Sequence, residues 1–245
     1  MNTTKNKDLF KEYKCNICKD TGIVFNPDTG FAKMCVCQEI ERYKNILQTC
    51  GISEAFRKKT FENYEVINNT SKLFKTIAER YISNFDINNC TSIAFLGQSG
   101  IGKTHLSIAI ANRLMEEKIP VLYMPYVSKI TELKNLNRYG DCTDDFNTKM
   151  NKYKSVKVLM IDDLFKAASN SQNQINKTDI RIMFDILNDR CLKGLPCIIS
   201  SEYDLFTLAQ IDQAIGGRIA EMCGDNIAIA KKNLKDNYRL RKFVK

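Results

Sequence analysis

The chain has 245 residues, 44% of them hydrophobic, with 37 Lys and Arg against 28 Asp and Glu for a formal net charge of +9. It is long enough to bury a real core in one large or two unequal domains, and no apolar run approaches the ~20 residues of a membrane span. The positive balance favours a polyanionic partner, although a Lys-rich and Asn-rich surface gives the same excess with none.

The chain starts on the polar stretch Met1-Asn2-Thr3-Thr4-Lys5-Asn6-Lys7. No signal-peptide apolar region follows, so the expected setting is cytoplasmic, without a membrane. Ten cysteines come next into account. Cys50, Cys90, Cys142, Cys191, Cys197 and Cys223 are scattered, and most sit in apolar or helical settings that suit small buried hydrophobes. Cys15, Cys18, Cys35 and Cys37 are clustered instead. Two close pairs flank a hairpin signal, Ile23-Val24-Phe25 and Phe31-Ala32 around Asn26-Pro27-Asp28-Thr29-Gly30. That spacing suits four thiolates on zinc, which would stabilise a piece too small to fold on its own core. The second pair is Cys-x-Cys, so a redox pair, free thiols and an iron–sulfur cluster stay as alternatives. A turn after Cys18, in place of a helix, weighs against the redox pair. Lys14, Lys19 and Lys33 would favour a negatively charged tetrathiolate.

Residues 38–50 read as a charged amphipathic helix, broken at Gly51-Ile52-Ser53, and 54–70 as a connector. A helix is expected from Ser71 to about Phe85 with Leu73, Phe74, Ile77, Tyr81 and Ile82 on one face. The strand-like Ser92-Ile93-Ala94-Phe95-Leu96 then enters Gly97-Gln98-Ser99-Gly100-Ile101-Gly102-Lys103-Thr104, and a helix beginning around His105 leaves it. This is the Gly-x4-Gly-Lys-Thr phosphate loop, in which backbone N–H groups and the helix dipole meet a phosphate. Lys103 can reach the β- and γ-phosphates and Thr104 can hold magnesium. His105, the only histidine, borders the loop and reads as a packing residue.

Val121 to Met124 forms a second strand, with a helix near Val127 to Leu136, and polar residues from about Asn137 to Lys154 read as an insertion. Val156-Lys157-Val158-Leu159-Met160-Ile161-Asp162-Asp163 fits a Walker B strand. Asp162 would hold magnesium and Asp163 would polarise the attacking water. Leu195 to Glu202 is another central strand, whose Ser201 and Glu202 could act as a sensor or merely end the strand. Arg218, after Gly216-Gly217, is a candidate arginine finger or a lone surface arginine. Short strands alternating with helices point to a parallel sheet covered on both faces, an α/β fold.

In order, these motifs resemble the DnaC/DnaI-type replicative helicase loaders, AAA+ ATPases, with the related IstB transposition helper as nearest cousin. The match runs from Cys15-x-x-Cys18-Lys19-Asp20-Thr21-Gly22 and Cys35-Val36-Cys37 through Thr60-Phe61-Glu62-Asn63-Tyr64, the phosphate loop and Ile161-Asp162-Asp163-Leu164 to Ile199-Ser200-Ser201, Arg218-Ile219 and Asp236-Asn237-Tyr238-Arg239. The resemblance implies a zinc-bearing, helicase-gripping module over 1–50, a linker over 51–70 and an AAA+ domain over 71–245 without a C-terminal lid. It implies ATP and magnesium at Gly97 to His105, a finger at Arg218 and a sensor-two arginine at Arg239. It also implies self-association, single-stranded DNA and a hexameric DnaB-type helicase as partners. Asp163 stands where most AAA+ enzymes have Glu, a trait the loader family shares; only one arginine lies near Ile219, where family members often have a second; and Glu202 takes the slot of the usual sensor Asn. A carboxylate there would repel a γ-phosphate, so Ser201 is expected to serve and hydrolysis to be slow.

The leading expectation is therefore an ATP-dependent helicase loader. An IstB-like helper on duplex DNA is second, and a zinc-bearing signalling ATPase with incidental charge is third. Lys129, Lys134 and Arg138 are the candidate DNA-facing cations.

Overall fold

The computed structural model describes residues 13–49, 54, 58–89, 91–138, 143–166, 175–240 and 243. Met1 to Lys7, Cys50, Gly51, Ile52, Ser53, Cys90 and Cys142, named above, lie outside them. β1 (Ile23–Phe25) and β2 (Ala32–Met34) pair antiparallel across the Asn-Pro-Asp-Thr-Gly turn, Ile23 opposite Met34 and Phe25 opposite Ala32. α1 (Val36–Thr49) leaves the hairpin at once, and α2 (Asn69–Ser83) follows the connector. Thereafter come β3 (Ile93–Gly97), α3 (Lys103–Glu116), β4 (Val121–Pro125), α4 (Tyr126–Arg138), α5 (Thr143–Ser155) and β5 (Val158–Asp162). The chain ends with α6 (Lys177–Leu192), β6 (Cys197–Ser201), α7 (Leu205–Ile211), α8 (Gln213–Cys223), β7 (Ile227–Ala230) and a short 3-10 turn at Leu234–Asp236.

The strands from β3 onward form one parallel sheet in the order β4-β5-β6-β3-β7. β3, β5 and β6 are buried along their whole length, because both faces are covered and a polar side chain on either would lose water. The two-residue period sorts their side chains into two cores. Ile93, Phe95, Tyr123, Met160 and Ile198 face α2, α3 and Ile40 of α1. Ala94, Leu96, Met124, Ile161 and Ile199 face α4, α5, α6 and α8. The doubly covered parallel sheet expected from the sequence is present.

Three local expectations are corrected. The polar stretch read as an insertion contains α5, whose Phe146, Met150 and Tyr153 recur at helical spacing and pack on the second core. Leu73 is exposed, although it was placed on the apolar face of α2; that face is Phe74, Ile77, Ala78 and Tyr81. Arg218 lies inside α8, begun by Asp212, whose carboxylate accepts the Ile215 N–H. A fourth feature had no sequence signal. Arg190 of α6 is fully buried, and its guanidinium donates to the carbonyls of Tyr153 (2.9 Å), Val156 (2.8 Å), Lys157 (3.3 Å) and Pro196 (2.7 Å) and to Cys197 Sγ (3.2 Å). One side chain thereby ties the end of α5 to the entries of β5 and β6.

Candidate functional site

The phosphate loop joins β3 to α3, at the end of a strand flanked by β6 and β7. Gly100 and Gly102 have φ of 82° and 92°, a left-handed backbone that glycine adopts freely. Both are also crowded: a Cβ on Gly100 would lie 2.1 Å from Asn237 Oδ1, and one on Gly102 2.6 Å from the Tyr64 ring. Tyr64 donates its hydroxyl to the Ile101 carbonyl (2.8 Å), and Tyr238 donates its N–H to that of Gly100 (2.9 Å). The loop is therefore clasped from both sides. A cavity of about 260 Å3 opens there, lined by Lys59, Asn63 and Tyr64 of the connector, by Ser99 to His105 of the loop, and by Lys166, Tyr238 and Arg239. Arg239 thus reaches the loop as expected, and part of the linker forms the wall.

Lys103 is buried and its ammonium donates to the carbonyls of Gly97 (2.7 Å) and Gln98 (2.8 Å). Burial pulls its proton affinity down to about 8, with the Asp163 and Glu202 carboxylates opposing. Asp162 is a hub: Oδ1 accepts from Thr104 Oγ1 (2.9 Å) and Ser200 Oγ (2.6 Å), and Oδ2 accepts from Tyr123 OH (3.1 Å). Burial raises its pKa, and those three hydrogen bonds oppose the rise. A buried carboxylate beside a threonine hydroxyl is the hard oxygen set that magnesium takes. Asp163 sits one residue on in a left-handed backbone (φ 57°), with its N–H donating to Ser200 Oγ (2.9 Å).

The sensor reading changes. Ser201 is fully buried and donates to the Leu164 carbonyl at 2.8 Å while accepting from the Tyr203 N–H, so its hydroxyl is committed to the backbone. Ser200 is the serine that touches Asp162, and strand parity could have found it. Tyr123, Met160 and Ile198 share one face of the sheet, so Asp162 and Ser200, each two residues on from Met160 and Ile198, fall on that face too. Glu202 is not an uncompensated charge, for Lys166 Nζ lies 3.1 Å from its carboxylate and 2.9 Å from that of Asp163. Lys166 was not singled out by the sequence.

Other predicted residues fall elsewhere. His105 Nε2 donates to the Thr60 carbonyl (2.9 Å), its ring edge-on to Tyr64 with centroids 5.1 Å apart, which is a packing role. Burial lowers its pKa. Arg218 lines neither loop cavity; it donates to Asn188 Oδ1 (3.1 Å) and Glu221 Oε2 (2.7 Å). Lys129 and Lys134 are paired with Glu132 (2.9 Å) and Asp179 (2.8 Å). A second, open cavity of about 1020 Å3 lies beyond the loop, with Lys231 and Lys232 on one wall and Glu202 to Asp204 on the other.

The four clustered cysteines converge. Their sulfurs all lie within 4.8 Å of one another, with Cys15–Cys35 at 3.8 Å and Cys18–Cys37 at 3.5 Å. These are too long for disulfides. They match the edges of about 3.8 Å of a tetrahedron with metal–sulfur bonds of about 2.3 Å. The Gly22 N–H donates to Cys18 Sγ (3.3 Å). The Cys18 backbone holds the Cys15 thiol down at about 6, and burial beside the other thiols pushes Cys37 up to about 12. A dication is what lets such neighbours ionise together. The donor set fits a metal.

Comparison with known proteins agrees with this geometry. Residues 36–223 match the family described as IstB-like ATP binding protein. The chain is similar to the phage-like element PBSX protein XkdC of Bacillus subtilis (strain 168), 35% identical over 89% of this chain and 83% of that one. It is also 30% identical to the replicative helicase loader DnaC of Buchnera aphidicola subsp. Baizongia pistaciae (strain Bp), over 50% of this chain and 49% of that one. A crystal structure of DnaI superposes with a TM-score of 0.60, at 22% identity over 74% of this chain and 95% of the other, which carries the AAA+ fold. The chain belongs to the family of IstB-like ATP binding proteins and has the AAA+ fold.

Proposed function

We propose that this protein is an ATP-dependent loader that places a hexameric DnaB-type replicative helicase on single-stranded DNA. The observation that carries the reading is the wired phosphate site, Lys103 and Thr104 against Asp162, joined in one chain to a four-cysteine hairpin. The division into a module at 1–50, a linker at 51–70 and an ATPase domain at 71–245 belongs to the same proposal.

In this reading Thr104 and Asp162 would hold magnesium, whose charge would offset that of the phosphates, and Lys103 exchanges its two carbonyls for phosphate oxygens. Asp163 orients the attacking water as general base. Its carboxylate is shared with Lys166, which must give way before a water can be held there and makes turnover slow. Arg218 acts across a self-association interface on a neighbour's nucleotide after leaving Glu221. Cys15, Cys18, Cys35 and Cys37 would hold zinc as a structural cross-link. The hairpin's outer face, with Ile23, Phe25 and Met34 at 56%, 63% and 71% exposure, grips the helicase through apolar contact.

The test is co-purification of the full chain with candidate hexameric helicases, with and without ATP and magnesium. ATP-dependent retention on a helicase, lost in Phe25→Ser, is expected; no retention on any helicase with normal ATP binding would sink the loader. A second reading, an IstB-like helper on duplex DNA, is favoured by the family match beginning at residue 36, after three of the four clustered cysteines. Tighter binding to duplex than to single strands at equal salt would select it.

A further inference from the structure

Lys166 is unexplained by the motifs. It follows Asp163, Leu164 and Phe165, and the turn that carries it is costly in shape: Asp163 and Phe165 both have left-handed φ, 57° and 62°, without being glycine. The turn is nonetheless held firmly. Leu164 and Phe165 are buried in the second core, the Leu164 N–H donates to the Ser200 carbonyl at 2.8 Å, and the Lys166 N–H donates to that of Asp163 at 3.0 Å. The product of that shape is one ammonium bridging the carboxylates at the ends of two adjacent strands, Asp163 after β5 and Glu202 after β6.

Position separates this pair from an ordinary surface ion pair, which does little. Lys166 lines the small cavity together with Lys103 and Thr104, and the large one together with Gly97, Gln98 and Ser99. It stands where the two cavities meet at the loop. Charges at this spot are unbalanced: Asp162, Asp163 and Glu202 act on Lys103 alongside the single cation Lys166. A terminal phosphate arriving beside Lys103 meets three carboxylates, and Lys166 is the cation in contact with two of them, Asp163 and Glu202. Burial works against its charge, but the Asp163 and Glu202 carboxylates outweigh burial and hold its proton affinity above the usual lysine value.

We infer that Lys166 is the residue by which this chain distinguishes a triphosphate from a diphosphate, its ammonium being shared from Asp163 and Glu202 to the terminal phosphate. It does the work that the sequence assigned to Ser201 or Glu202. The inference rests on the nucleotide reading of the loop and extends it to which nucleotide is held.

The experiment is equilibrium titration of the full chain, with magnesium, against ADP and against a nonhydrolysable β,γ-methylene ATP analogue. Wild type, Lys166→Met, Lys166→Arg and the double variant Lys166→Met/Glu202→Gln are compared. Lys166→Met should weaken the triphosphate analogue about tenfold, or 1.4 kcal/mol, leaving ADP within about twofold. Lys166→Arg should keep most of the preference. The double variant should stay weak, since removing the Glu202 charge supplies no cation. An unchanged triphosphate-to-diphosphate ratio in Lys166→Met overturns the inference, as does full recovery in the double variant, where lysine would only mask glutamate. Wild type binding neither nucleotide would remove the nucleotide reading itself, and this inference with it.

Discussion

The two parts of this chain solve the same problem with opposite materials. The sheet domain buries continuous apolar strands between two helical layers and leaves its polar groups at the strand ends. The hairpin buries sulfur and turns its apolar side chains outward: the small cluster inside it is Cys15, Cys18 and Cys35, with Val24, Val36 and Cys37 packed on it. A two-stranded piece has too little area to fold by hydrophobic burial. A metal held by the four cysteines would replace a core, which leaves Ile23, Phe25 and Met34 exposed. Where stability comes from decides which surface is available.

Metal removal breaks that comparison most sharply. Thiolate zinc sites supply on the order of 10–16 kcal/mol of binding energy, so chelation, or Cys35→Ser, should unfold the hairpin while the sheet's melting transition stays. Elemental analysis and calorimetric scanning check this; a hairpin still protected from proteolysis after chelation would contradict it. On the sheet side, Arg190→Met should cost about 3 kcal/mol, because buried carbonyls lose their donor, with the hairpin's metal content unchanged. Denaturant unfolding measures it, and a loss under about 1 kcal/mol would show the carbonyls satisfied otherwise.

At the strand ends the expected effects are smaller. Lys103→Ala should weaken nucleotide binding about a hundredfold, near 2.7 kcal/mol, without lowering the melting temperature, since a buried charge is removed. Smallest is the response to pH. Burial holds Lys103 at about 8 against an ordinary 10.5. A bound polyphosphate lifts it, so binding takes up a proton and affinity falls up to about tenfold per unit above pH 8. The stability of the nucleotide-free fold moves the other way. The unfolded chain keeps that proton longer, so this lysine's contribution rises from pH 8 towards 10.5. Parallel trends in titration and unfolding would refute this account of Lys103.

The apolar strands, the glycine loop and the cysteine spacing were legible because each is local. Period, turn chemistry and ligand spacing are written in neighbouring residues. α5 was hidden by its charge, its three apolar residues being too sparse to lift the composition. Arg190 could not be seen, since its acceptors come from segments that only the fold assembles. Ser200 was legible by parity yet passed over for the strand-end Ser201 and Glu202. Lys166 gave no motif at all: its meaning lies in a left-handed turn and in a carboxylate from another strand.

One contact has a mechanical meaning. Val36, at the start of α1, packs on both the sulfur cluster and the core against α3, and Ile40 one turn later is sunk in that core. α1 is therefore a shaft with the cysteine cluster at its head and its first turns seated against β4 and the core beneath α3. The exposed apolar side chains of the hairpin are thus carried at a place set by side-chain packing on the sheet domain, and not by the backbone connection alone.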